Sequence, residues 1–104
     1  MKSILIALLL PFNSAWASGV ETFSVSFVGC FSNGNCFVGI GPSATTTECP
    51  SKQQLRLDIT LPGSQAQYSA ALTAFSMGKK IRVEVSDNCM DGFPTPNFLH
   101  VNNL

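Results

Sequence analysis

The chemistry open to this chain rests on four cysteines, one histidine and six acidic residues. Cys30, Cys36, Cys49 and Cys89 are spaced unlike a zinc site. Five residues separate the first two and the others stand alone, whereas zinc ligands come in pairs about two to four residues apart. An even cysteine count in an exported chain predicts disulfides, and four cysteines allow three pairings. His100 falls in an alternating segment opposite Leu99 and Val101, with no nucleophile or acid identifiable beside it. It is expected to face solvent rather than act as a base. The run from Asp87 to Gly92 begins like a calcium loop but has Cys89 at the third place and Phe98 at the twelfth, so it reads as a turn. Ser64 lacks a nucleophile-elbow context. The acids Glu21, Glu48, Asp58, Glu84, Asp87 and Asp91 show no pair spaced for glycoside hydrolysis. With no convergent acid, base, nucleophile or metal set, the expected class is a binding protein without cofactor, metal or catalytic residue.

Three aromatic residues are the candidate ligand contacts. Phe31 and Phe37 flank a turn and Phe93 sits in a proline-bracketed stretch. Small antiparallel barrels bind ligands on such loops and strand faces, and aromatic faces stack on sugars or bases. The competing reading of the same residues is core packing beside a disulfide.

The chain also has to be placed in a compartment. Lys2, the apolar run Ile4 to Leu10, a polar break at Pro11 to Ser14 and the small-x-small site Ala15, Trp16, Ala17 read as a secretory signal at residues 1–17. The apolar run falls well short of the roughly 20 residues a membrane span needs, so no membrane-spanning segment is expected after signal removal. The expected location is exported, periplasmic or secreted, with one domain at residues 18–104. That part carries five bases against six acids. Near-neutrality argues against nucleic acid, which needs a basic surface. The uncharged helix described next argues against a membrane-surface anchor.

The elements that must position these residues centre on Ser64 to Cys89. Pro62, Gly63, Ser64 and Gln67 predict a helix start with Ser64 and Gln67 as a reciprocal capping pair. Tyr68, Ala71, Leu72 and Phe75 make an apolar stripe, and Gly78 followed by Lys79 and Lys80 makes the stop. The period then changes to two: Ile81, Val83 and Val85 face the core while Arg82 and Glu84 face water. Before this unit, Glu21 to Val28 predicts a strand with Phe23, Val25 and Phe27 on one side. Ser32 to Asn35 is a turn, and Cys36 to Ile40 is the returning strand, which lets Cys30 and Cys36 lie opposite each other. Gly41 to Ser51 is a loop and Gln54 to Leu61 the third strand, with Leu55, Leu57, Ile59 and Leu61 alternating. After the unit come a loop, Ser86 to Pro96, and a last strand, Asn97 to Asn103, with Leu99 and Val101 inward. The resulting fold class is mainly β with one helix, in the order β-β-β-α-β-β. That is the order of an OB-fold-like small barrel, and an α+β sandwich without barrel closure has the same order.

The block YSAALTAFSMGKKIRVEVSDNC, followed by Gly92, Phe93, Pro94 and the closing FLHVNN, resembles a family of small exported bacterial proteins. These are OB-like and related to the B subunits of pertussis-type and subtilase-type AB5 toxins. The resemblance covers roughly the second half of the mature chain. It implies an OB-like domain, a ring of five chains and glycan binding. It also implies a disulfide from the loop before the third strand to the end of the fourth, Cys49 to Cys89, leaving Cys30 with Cys36. A monomeric periplasmic accessory or inhibitor protein that covers a protein partner is the alternative function.

Overall fold

The computed structural model describes residues 19–103; the signal expected at residues 1–17 lies outside them. Five strands and one helix follow in the expected order: β1 (Gly19–Cys30), β2 (Asn35–Gly41), β3 (Gln54–Asp58), α1 (Pro62–Met77), β4 (Lys80–Met90) and β5 (Phe93–Asn102). All neighbouring strands are antiparallel, and the sheet order is β3-β2-β1-β4-β5. The two end strands, β3 and β5, curl round to approach each other. This is a barrel-like arrangement in which the two edge strands face each other without a hydrogen-bonded ladder between them.

Curling is possible because β1 serves two ladders. Its first half, Gly19 to Phe23, pairs with β4, and its second half, Ser24 to Cys30, pairs with β2. A bulge between Val25 and Phe27 marks the change of register. Such an extra residue bends the strand and reverses which later side chains point inward. Phe23 is buried and Val25 packs on the core as the alternation predicts. Beyond the bulge Val28 takes the core side, and Phe27, expected inward, lies 41% exposed on the outer face.

The core is the layer between the sheet and α1. Val38, Ile40, Leu55, Leu57, Ile81, Val83, Val85 and Leu99 project from the strands against Ala71 and Ala74 of the helix. The helix thus meets the sheet through its smallest side chains, which allows close approach. Tyr68 and Ala70 pack at the margin, whereas Leu72 and Phe75, expected in the buried stripe, remain exposed. The helix also starts earlier than expected. Leu61 is the N-cap with no side-chain capping bond and Pro62 enters the first turn, so Ser64 and Gln67 form no capping pair. Proline suits that place because its missing N–H would be unpartnered there. The end is as expected: Gly78 at φ 67° is the left-handed terminator.

Other boundaries shift for local reasons. β3 ends at Asp58, whose carboxylate accepts from the Thr60 amide at 3.0 Å and the Thr60 hydroxyl at 2.6 Å, folding Ile59 and Thr60 into a turn. The expected loop from Ser86 to Pro96 is instead the end of β4, a two-residue turn and the start of β5. Asp91 (φ 54°) and Gly92 (φ 86°) both take positive φ, as a tight hairpin turn of this kind demands. On β5, Leu99 is inward but Val101 is 36% exposed near the strand's end.

Two disulfides fasten the sheet. Cys30 and Cys36 are direct cross-strand partners beside the first turn. Cys49 is joined to Cys89, 40 residues away, and ties the long loop after β2 to β4. That loop is anchored by polar contacts as well. Glu21 on β1 accepts hydrogen bonds from the amides and hydroxyls of Thr45 and Thr46, the shortest 2.6 Å from the Thr46 hydroxyl. Buried Thr47 donates to the Ser86 carbonyl at 2.8 Å, and the Glu48 amide donates to Asp87 at 2.7 Å.

Candidate functional site

Arg56 brings the aromatic candidates together. It occupies the outward position of β3 between the core residues Leu55 and Leu57, yet it is only 7% exposed. Its guanidinium carbon lies 4.4 Å from the centre of the Phe93 ring, 5.4 Å from Phe31 and 5.8 Å from Phe37. Cation–π attraction of this kind is worth more as water is excluded. Asp91, in the β4–β5 turn, accepts from Arg56 Nη1 at 2.8 Å, and Gln54 accepts from Nε at 3.3 Å. The residues come from β2, β3, the β1–β2 turn and the β4–β5 hairpin. Side chains of Arg56, Asp91 and Phe93 thereby span the seam between β3 and β5.

The hairpin of β1 and β2 prepares the other half of this surface. Phe27 stands opposite Gly39, and Phe37 opposite Gly29. A Cβ on Gly39 would come within 2.3 Å of the Phe27 ring, and one on Gly29 within 2.4 Å of the Phe37 ring. Each ring therefore lies across the bare backbone of the facing glycine. Phe37 meets Phe27 edge-on with centroids 6.0 Å apart and Phe31 at 5.5 Å. Phe31 is 51% exposed, so the result is an aromatic shelf with an accessible edge and a guanidinium at its side.

A pocket of about 160 Å³ meets this shelf at Arg56, which stands in its wall. It lies between β3, the start of α1 and β5. Ser64, expected to cap the helix, lines it instead, together with Gln67, whose Nε2 donates to the Asn97 carbonyl at 3.1 Å.

The remaining sequence candidates lie elsewhere. His100 is exposed on β5, paired across the ladder with Arg82, its ring 5.7 Å from that of Phe98. Among the described residues no cluster of three His, Cys, Asp or Glu side chains is arranged to hold a metal ion. Cys49 is bonded to Cys89 and Cys30 to Cys36, so none of the described cysteines carries a free thiol.

Arg56, Phe27 and the two glycines are site residues that sequence reasoning missed, and they left unequal signals. Phe27-Val28-Gly29 and Phe37-Val38-Gly39 are the same triplet repeated around an Asn-Gly turn. Antiparallel pairing about that turn sets each phenylalanine over the other's glycine and the valines opposite each other, so the shelf was legible there. Arg56 left no signal, since a polar residue alternating with leucines reads as solvated. The chain matches no family model, no curated protein and no solved structure.

Proposed function

We propose that this protein is an exported, non-enzymatic binding module that holds a glycan on the shelf formed by Phe31, Phe37, Phe93 and Arg56. The single observation that carries this reading is the convergence of those four side chains on the outer β2–β3 face and its adjoining turns. That is the region where small barrels of this topology take oligosaccharides. The half-exposed ring of Phe31, backed by Phe37, matches the C–H face of a sugar, and the planar polar side chains beside it match the hydroxyls. Two disulfides fit an oxidising compartment. Among the described residues no helix is long and apolar enough to cross a membrane. Five such shelves in a ring would turn weak sugar contacts into useful avidity.

The oxidised chain is expected to bind members of a glycan array, and Phe31→Ala to weaken that binding about tenfold without unfolding the domain, since covering the exposed half of one phenyl ring is worth roughly 1–1.5 kcal/mol. A blank array, or Phe31→Ala binding unchanged, overturns the reading. Light scattering on the same sample gives the number of chains per particle, a ring of five supporting the multivalent form.

A protein partner is the second reading, favoured by Leu72, Phe75 and Met77, which leave the helix flank exposed and apolar. Capture of the periplasmic partner by wild-type chain but not by Phe75→Ser would favour it.

A further inference from the structure

The pocket beside the shelf has a chemistry of its own. Its volume of about 160 Å³ resembles that of a cavity able to hold one six-membered ring, about 150 Å³. One wall is apolar, from Leu57, Leu61, Met90 and Pro96. The polar wall is Asp58, Ser64, Gln67, Arg56 and Thr95, whose hydroxyl is taken up by the Asn88 carbonyl at 3.3 Å. Asp58 uses Oδ1 for Thr60, and Gln67 uses Nε2 for Asn97. Among the described residues Asp58 Oδ2, Gln67 Oε1, the Ser64 hydroxyl and Arg56 Nη2 make no hydrogen bond. The side chains lining this partly apolar space thus carry two acceptors, one donor and one hydroxyl that no described residue uses.

Charge decides which ring fits. Among the described residues the only cation lining the pocket is Arg56, and Asp91 already pairs with it at 2.8 Å. Asp58 adds a carboxylate that the Thr60 hydroxyl and amide hold in its ionised form. Arg56 is thus outnumbered by two carboxylates, Asp91 and Asp58, and an anionic guest would meet a net negative charge. An uncharged ring with vicinal hydroxyls donates to Asp58 and Gln67, accepts from Arg56 and lays its C–H face on the leucines.

We infer that the pocket receives one neutral pyranose, the terminal sugar of the oligosaccharide whose next residues rest on Phe31 and Phe37. This rests on the glycan reading above and adds its specificity: sugars bearing a carboxylate are rejected.

The test compares methyl glucoside, galactoside and mannoside with methyl glucuronide and galacturonide, which differ from the first two only by a carboxylate at C6. Titrations of the oxidised chain are followed by amide NMR shifts, alongside the glycan array. At least one neutral glycoside is expected to move the amides of Ser64 and Gln67 and to bind about tenfold more tightly than its uronic acid, a difference of about 1.4 kcal/mol. Gln67→Ala should abolish the shift, and Asp58→Asn should narrow the discrimination between the neutral and acidic forms, with unchanged melting temperatures confirming the fold. Uronic acids binding equally well, or shifts confined to Phe31 and Phe37 and indifferent to Gln67→Ala, overturn the pocket inference while leaving the glycan reading intact. A chain that binds no monosaccharide and no array glycan overturns both.

Discussion

Two glycines under two rings give the sharpest test at the level of single residues. Alanine at either position would overlap a phenyl ring, but the rings are not equally free to move. Phe27 is 41% exposed and has solvent to turn into, whereas Phe37 is held between Phe27, Phe31 and Arg56. Gly29→Ala is therefore expected to cost about 2–3 kcal/mol and Gly39→Ala nearer 1 kcal/mol, within the usual range for overpacking; urea denaturation of both variants measures the difference. Equal costs would mean that Phe37 is as mobile as Phe27. Glu21 is the second residue to probe. Burial alone would raise its pKa, but the hydrogen bonds from Thr46 and Thr45 outweigh that and hold it below the ordinary value of 4.5. A depressed carboxylate pKa stabilises the fold fully above the unfolded-state value and loses that contribution as pH falls through the lower folded-state value. Melting temperature should thus drop more steeply below pH 4.5 in the wild-type chain than in Glu21→Gln, which should already be weaker by about 1–2 kcal/mol at neutral pH. The residue scale is also where the sequence was least informative. Nothing in the order of letters marks Arg56 as covered, because its cover comes from a turn and a hairpin distant along the chain.

Strands and helix were legible in their order and in most of their faces, since periods of two and 3.6 report which side is buried when the element is regular. They misled where regularity broke. The bulge after Val25 turned Phe27 outward, and no residue in that stretch announces a bulge. The helix turned its alanines inward and its larger apolar residues outward because a small-residue face lies closer to the sheet, a choice that amphipathic spacing alone does not reveal. Its beginning offers a test. Leu61 sits at the N-cap in extended conformation (φ −96°, ψ 132°), is 55% exposed and caps nothing. Leu61→Asp should supply the missing acceptor and raise stability by about 1 kcal/mol, read as a higher denaturation midpoint. The same change removes part of the apolar pocket wall, so a stabler variant with poorer sugar binding is the expected pair of results.

For the molecule as a whole, the disulfides matter most, because a domain of this size buries a modest core. On the chain-entropy view the Cys49–Cys89 bond, spanning 40 residues, contributes about 4 kcal/mol and the Cys30–Cys36 bond about 2 kcal/mol. Replacing the first pair with alanine should cost roughly twice as much as replacing the second, and reduction of both should bring unfolding near body temperature. Calorimetry of the oxidised, singly substituted and reduced chains checks the ranking. The long loop between β2 and β3 is where that tether has its widest effect. Cys49, Thr47, Glu48, the Glu21 contacts and the Ser51 amide, which donates to the Gly92 carbonyl at 2.9 Å, fix it at successive points. A protease must draw an extended stretch of chain into its cleft, and a segment held so often has little slack to give. The oxidised protein should therefore survive digestion in this loop, while the reduced one is cut there first.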